Sequence, residues 1–446
     1  MGEFRGMKRD IYKDLLNWRS SAYRKPLILR GARQTGKTYI LREFGRCEYR
    51  RCHYFNFEQD SRLGSLFTGD LSPDRIIRDL ALYGGNEIHH SEDLIIFDEI
   101  QASNDALNSL KYFQEQANEY HIAAAGSLLG VWMSQPKSFP VGKVDFLDLH
   151  PMTFYEFLDA VGQAAYRTYL EGIDRIAPLP DALHHELTGL LRRYYYVGGM
   201  PEVVLRHAAD PGGADCRSVQ RAILDSYSLD FAKHAPAADI PKLSLVWESL
   251  PSQLARENKK FLFSLAKQGA RAREYENALT WLVNAGLIHC CSLVATPRIP
   301  LKAHADGSSF KVYACDVGLL GALARVPPDA VQSDLSILTE YQGAFVENHV
   351  AQHLAVMTDG PLHYWKNVGR DAEVDFLLQH GSKIYPIEAK SGTNVRAKSL
   401  AFYLAKYDPS LAVRTSLRNL KIDGRVLNIP LYAFQSLPRF LALAAL

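Results

Sequence analysis

Residues Pro26–Thr38 read PLILRGARQTGKT, and the fold follows from how this stretch must behave. Pro26–Arg30 is a short apolar run fit for a buried strand, and a helical stretch, YILREF, opens directly after Thr38. Between them lies the G-x-x-x-x-G-K-[ST] spacing, whose proper context is a strand on one side and a helix on the other. Gly31 and Gly36 let the backbone curl so that successive N–H groups, backed by the helix N-terminus, point at phosphate oxygens. The loop Gly31, Ala32, Arg33, Gln34, Thr35, Gly36, Lys37 and Thr38, with the adjoining Tyr39, is expected to cradle ATP. Lys37 reaches the β/γ-phosphates in that reading, and Thr38 ligates Mg2+.

Further along, DLIIFDEIQ is an apolar strand ending in two acids. Asp98 is expected to hold the magnesium ion and Glu99 to orient the attacking water. The next strand-like run, HIAAAGSLLG, reaches Ser127. All three strand ends are expected on the carboxyl edge of one parallel sheet, where open α/β folds bind ligands. Hydrolysis at such sites often needs an arginine from a neighbouring subunit. Arg192, Arg193 and Arg206 are candidates for it, with a solvated surface role as the alternative.

The bulk properties set the frame around this motif. A chain of 446 residues, at roughly 150 per domain, predicts three or four domains. Hydrophobic content of 47% and charged content of 22% fit an ordinary globular protein. No apolar run approaches the roughly 18 to 20 residues that cross a bilayer, and the N-terminus lacks the apolar core of a secretion signal, so a cytoplasmic protein without membrane contact is expected. Cys47, Cys52, Cys216, Cys290, Cys291 and Cys315 lack metal-ligand spacing and read as reduced structural thiols. Because 51 Lys+Arg nearly balance 49 Asp+Glu, contact with DNA must rest on a local patch.

Past the nucleotide-binding segment, assigned to residues 1–150, residues 151–240 show helical periodicity broken at Pro178, Pro180 and PGGAD, as in a helical lid packed on the first domain. In YYYVGGMPEVV, Gly198 and Gly199 before Pro201 mark a sharp turn, and the tyrosines read as packing residues. Residues 241–325 run helix, turn, helix, then the strand-like LIHCCSLVA, the order of a winged helix. Arg271 and Arg273 suit a major-groove reader, whereas Glu274 and Glu276 oppose phosphate approach, so a structural role stands beside DNA reading.

The remainder, 326–446, contains EVDFLLQHGSKIYPIEAK. Gly381 and Ser382 suit a tight reversal that sets Asp375 nearly opposite Glu388, with Lys390 on the same face. Like charges placed opposite one another destabilise a sheet by roughly 0.2 to 1 kcal/mol, which argues for a cation, Mg2+ or Mn2+, between them. Such an ion polarises a phosphodiester, with Lys390 beside it. The alternative is a solvent-facing hairpin whose acids pair with Lys390 and Arg370. Upstream, YQGAFVENHVAQHL reads as an amphipathic helix with the stripe Phe345, Val346, Val350 and Leu354, from which Glu347 approaches the same site.

Taken together, MKRDIYKDLLNW, GARQTGKT, IIFDEIQ, AGSLLG, LHPMTFYEF, YVGGMPEVV, YACDVGLLGAL, GAFVENHV, YWKN, EVDFLL and PIEAKSG resemble the prokaryotic AAA-type ATPases. These pair a P-loop domain with a C-terminal domain of unknown function related to PD-(D/E)xK nucleases. The resemblance implies an α/β multidomain fold: an AAA+ core with a parallel sheet, a helical lid, a winged helix and a restriction-endonuclease-like domain. It implies Lys37, Thr38, Asp98 and Glu99 at the ATP site, with Ser127 where AAA-type ATPases sense the γ-phosphate. It also implies Glu347, Asp375, Glu388 and Lys390 at a nuclease-like site. The expected function is ATP hydrolysis controlling a metal-dependent nuclease acting on DNA. The competing reading is a nucleotide-switched binding protein that cuts nothing, and a further one is a homo-oligomeric assembly ATPase.

Overall fold

Leucine and isoleucine alternating across two faces of short strands drive the first layer. The computed structural model describes residues 7–126, 142–212, 215–256, 259–327, 337–358, 360–367, 369, 372–392 and 398–445, with the backbone alone for 337–342. Contacts divide the chain into two units, Met1–His150 with Asn284–Gly286, and Pro151–Val283 with Leu287–Leu446.

In the first unit, strands β1 (Leu27–Arg30), β2 (Arg51–Asn56), β3 (Asp93–Asp98), β4 (His121–Ala125) and β5 (Asp145–Asp148) lie in the order β2-β3-β4-β1-β5. Every pairing is parallel, so each connection must cross over, and helices supply the crossings. Ile28, Ile95 and Phe97 face one side with Ile76, Leu80 and Leu110 of helices Pro73–Gly84 and Asn104–Gln116. Leu29, Leu94 and Ile96 face the other with Ile40, Leu41 and Phe44 of helix Lys37–Glu48. Both sheet faces are thereby buried, and the carboxyl ends of β1, β3 and β4 share one edge.

The second unit is built on eight strands: β6 (Ile288–Leu293), β7 (Asp306–Ala314), β8 (Leu362–Lys366), β9 (Glu373–His380), β10 (Lys383–Ala389), β11 (Ala412–Ser416), β12 (Lys421–Asp423) and β13 (Val426–Pro430). Their order is β12-β13-β11-β10-β9-β8-β6-β7. Three helices, Ile240–Leu254, Phe263–Ala266 and Ala272–Asn284, precede the β6–β7 hairpin, the element order expected of a winged helix. The hairpin is not a free wing, however, because β6 pairs in parallel with β8 through Cys291↔Leu362. A boundary between residues 325 and 326 therefore falls inside one sheet. An open strand edge is a liability, and here the C-terminal segment satisfies it.

The helices of residues 151–240 are grouped by their contacts with this second unit. Their anchor is a buried junction between segments distant in sequence. Tyr194 Oη donates to the Met152 carbonyl at 2.7 Å and accepts from Gln352 Nε2 at 2.9 Å. Gly199 N–H donates to Asp316 Oδ2 at 2.6 Å, and Met152 N–H to the Gly199 carbonyl, also at 2.6 Å. A Cβ on Gly199 would stand 2.1 Å from the Met152 oxygen, so no other residue fits. Thr153 and Glu156 form a reciprocal capping box that starts helix Phe154–Ala160.

Helix Ile337–Met357 differs from the expected amphipathic form. Phe345, Val346, Val350 and Leu354 are buried, but so are Glu347, Asn348, His349, Gln352 and His353. Each of these residues makes at least one hydrogen bond, which is how a polar sequence tolerates burial, although His349 Nδ1 has no partner among the described residues. Asn348, for example, holds both the N–H and the carbonyl of Ala314, at 2.8 and 3.1 Å.

Candidate functional site

The P-loop in the first unit closes on itself. Lys37 Nζ donates to the carbonyls of Gly31 and Ala32 at 2.9 and 2.7 Å. Arg9 clamps the loop from outside, donating to the Thr35 carbonyl at 2.8 Å and the His150 carbonyl at 2.6 Å. At Gly31 a Cβ would meet the Leu149 carbonyl at 2.1 Å, so the loop passes too close to the neighbouring chain for any side chain. Gln34 adopts φ 65° within the loop.

Thr38 Oγ1 donates to Asp98 Oδ2 at 2.9 Å, bringing together the two residues expected at magnesium. Tyr54 Oη donates to the same oxygen at 2.6 Å. Burial first, then that bond to Asp98, push the Tyr54 hydroxyl up to about 12, so it stays a donor at neutral pH. Glu99 sits in the left-handed region at φ 49°, a strained position for a non-glycine residue of the kind that clusters at working sites. Gln101 Nε2 donates to its Oε2 at 2.5 Å. Tyr54, Asn56 and Arg9 were not legible as site residues, although Asn56 stands in register with Asp98 on β2. Tyr39 is exposed on the first turn after Thr38. Ser127 lies outside the described residues, as does Arg370. Arg192, Arg193 and Arg206 are exposed in the second unit.

In the second unit, His380↔Lys383 through Phe376↔Ile387 pair antiparallel around Gly381–Ser382, which continues to Asp375 opposite Glu388. Asp375 Oδ2 accepts from the Ala389 N–H at 2.9 Å, and Lys390 Nζ lies 2.6 Å from Glu388 Oε1. The hairpin is not solvent-facing, for Glu388 is 3% exposed and β10 is flanked by β9 and β11. Burial and the neighbouring carboxylates raise the Asp375 carboxyl well above its ordinary value. Glu388 is raised as well, by burial before all else, with Lys390 opposing.

Two lysines that the sequence did not single out enter the cluster. Lys311 of β7 is 1% exposed, and its Nζ lies 2.5 Å from Glu373 Oε1, 3.9 Å from Asp375 Oδ1 and 4.0 Å from Glu347 Oε2. Burial alone would lower its pKa, but Glu347, Asp375 and Glu373 together hold it above that of an ordinary lysine. Lys259 Nζ lies 2.5 Å from Glu347 Oε1, and Tyr313 Oη donates to Glu347 Oε2 at 3.1 Å.

These contacts test the expected metal set. Both oxygens of Glu347 are engaged, and among the described residues no three His, Cys, Asp or Glu side chains are arranged to hold a metal ion. Glu347 is thus paired with Lys259 and Tyr313 in this structure, and the acids facing one another across the hairpin are Asp375 and Glu388. The remaining pair does fit a cation: Glu388 Oε2 is buried and has no hydrogen-bond partner among the described residues. An orphaned carboxylate oxygen beside a second carboxyl is what a hard cation satisfies.

Comparison with known proteins agrees with the first unit. Residues 23–158 match the family model described as AAA domain. Residues 188–330 and 342–434 match two domains of unknown function, DUF8612 and DUF4143. No curated protein matches the chain. Among solved structures, the Walker-type ATPase PABY2304 of Pyrococcus abyssi aligns at 14% identity and a TM-score of 0.45, covering 72% of this chain and 96% of that one. The Orc1 protein of Aeropyrum pernix in complex with DNA aligns at 14% and 0.29, covering 72% and 92%. AMPPCP-bound DnaA from Aquifex aeolicus aligns at 13% and 0.28, covering 63% and 88%. Residues 23–158 thus carry a P-loop domain of the AAA ATPase type. No helix among the described residues is long and apolar enough to cross a membrane.

Proposed function

We propose that the protein hydrolyses ATP at the P-loop and that its nucleotide state controls a metal-dependent, nuclease-like site in the second unit that acts on DNA. The observation that carries the ATPase half is the direct bond between Thr38 and Asp98, with the strained Glu99 next in sequence. Those two residues would hold Mg2+, Glu99 would orient water and Lys37 would turn from its own loop carbonyls to the phosphates.

The nuclease half is supported by the orphaned Glu388 Oε2 beside Asp375 and by the order helix acid, strand Asp, then Glu-x-Lys. Mg2+ or Mn2+ held by Asp375 and Glu388 would supply Lewis-acid polarisation of a phosphodiester. Lys390 would neutralise charge developing next to it. Register runs from Glu388 to Arg414 on β11, Asn428 on β13 and Lys421 on β12. Cross-strand neighbours share a face, so cations follow the acids towards the sheet edge and suit an anionic backbone.

A second reading, a nucleotide-switched binding protein without cleavage, is favoured by Lys311, which already compensates part of the acidic cluster. One experiment separates the two. Pure protein is incubated with linear, circular and single-stranded DNA in Mg2+ or Mn2+, with and without ATP, beside Lys37→Ala, Asp375→Asn and Glu388→Gln. Cleavage lost in the last two variants and altered by ATP supports the nuclease reading. Salt-sensitive DNA binding without cleavage, alongside intact ATP turnover, supports the switch.

A further inference from the structure

Gln101 closes the stretch DLIIFDEIQ, and the roles given to Asp98 and Glu99 leave it unused. It stands in the short turn Ile100–Ala102, which Glu99 opens at φ 49° and ψ 42°. Both ends of that turn are fixed. Upstream, the Glu99 N–H donates to Asp98 Oδ1 at 3.1 Å. Downstream, Ser103 caps helix Asn104–Gln116 by accepting from the Ala106 N–H at 3.3 Å, and Ile100 between the two ends is wholly buried. From this rigid mount Gln101 Nε2 donates to Glu99 Oε2 at 2.5 Å. Gln101 Oε1, on the same amide, is buried and has no hydrogen-bond partner among the described residues. Turning the amide over would set that oxygen against the carboxylate, so the donor must face Glu99 and the acceptor is left unsatisfied. A buried acceptor without a partner costs stability, and such local costs are expected where a residue serves function.

We infer that Gln101 is a positioning residue for ATP hydrolysis: its amide holds the Glu99 carboxylate in the orientation from which it directs water, as a catalytic base is commonly oriented by a third group. The inference rests on the ATPase reading of Glu99. A glutamate side chain otherwise moves among several rotamers, and fixing one of them before the reaction removes that entropy from the barrier. Gln101 acts through Glu99 alone, so turnover depends on it and nucleotide binding does not.

The test is a double-mutant cycle on the full chain: wild type, Gln101→Met, Glu99→Gln and the double variant, each read by single-turnover phosphate release, affinity for a fluorescent ATP analogue and thermal unfolding. Methionine keeps the side-chain length and removes both polar atoms. Gln101→Met is expected to slow release by about 10- to 100-fold, the usual effect of losing a partner that orients a working side chain, with nucleotide affinity unchanged and no loss of thermal stability. In the Glu99→Gln background the same substitution is expected to slow release no further. Unchanged or faster release in Gln101→Met, or weakened nucleotide affinity, overturns the inference and leaves the ATPase reading in place. An equal loss in both backgrounds also overturns it, since Gln101 would then act independently of Glu99. Full-speed release in Glu99→Gln overturns it together with the reading of Glu99 on which it rests. Should Gln101→Met fail to fold by circular dichroism, Gln101→Ala takes its place with the same expectations for release and affinity. Loss of the fold in both overturns the inference, because the role of Gln101 would then be structural.

Discussion

The Thr38 hydroxyl donates to Asp98 Oδ2 across 2.9 Å, so the residue after the P-loop lysine is tied directly to the acid that ends β3. Thr38→Val keeps the shape and removes the donor. ATP turnover is expected to fall by about 10²-fold or more, the size of effect seen when one preorganised polar contact to developing charge is lost. Phosphate release in excess Mg2+ measures it, and an unchanged rate would remove Thr38 from the magnesium site.

Glu99→Gln separates binding from chemistry. The amide keeps the side-chain size, so affinity for a fluorescent ATP analogue is expected to hold while turnover drops about 10²-fold or more. Parallel loss of both would mean that Glu99 supports the loop's structure and does not orient water.

Gly199→Ala is the sharpest stability prediction. The added methyl would overlap the Met152 carbonyl, and the backbone must shift at a junction that also holds Asp316 and Tyr194. A loss of about 2–3 kcal/mol is expected in urea unfolding of the second unit, in the range of overpacked cores. A variant as stable as wild type would show that the junction yields easily.

The two neighbouring histidines of the long helix, their ring planes tilted by 45°, make an acid-labile point. His349 and His353 have ring centroids 4.1 Å apart, and burial first, then for His349 the neighbouring ring, keep both neutral. His353 falls from 6.5 to about 4. A depressed histidine contributes stability that is full above the unfolded value of 6.5 and lost as pH falls towards about 4. Asp316, raised to about 6, and the raised Asp375 and Glu388 act with the opposite sign over the acid range. The comparison to make is therefore between wild type and His353→Gln. The variant is expected to lose less stability between pH 6.5 and 4, by on the order of 3 kcal/mol, and identical pH slopes would refute the assignment.

The P-loop was legible because its chemistry is local: the consecutive residues Gly31 to Thr38 and their flanks carry the geometry. The Asp375–Glu388 pairing was legible for a similar reason, since a two-residue turn fixes the register of everything before and after it. Lys311 and Lys259 were not, because they reach Glu347 from far upstream and nothing in their own neighbourhoods marks them. Tyr54 escaped notice because only the pairing of β2 with β3 brings it to Asp98. The long helix misled for another reason. The stripe Phe345, Val346, Val350 and Leu354 suggested an amphipathic helix, whereas Asn348, His349 and Gln352 also meet buried partners on distant elements.

The pairing of β6 with β8 bears on how such a chain can be inherited. Recombination that exchanged the segment after residue 325 would deliver the acids without the lysine that balances them and would leave β8 with a naked edge. The helices, the hairpin and the acidic strands are thus one folding unit, although two separate family models, over residues 188–330 and 342–434, divide it between β7 and β8.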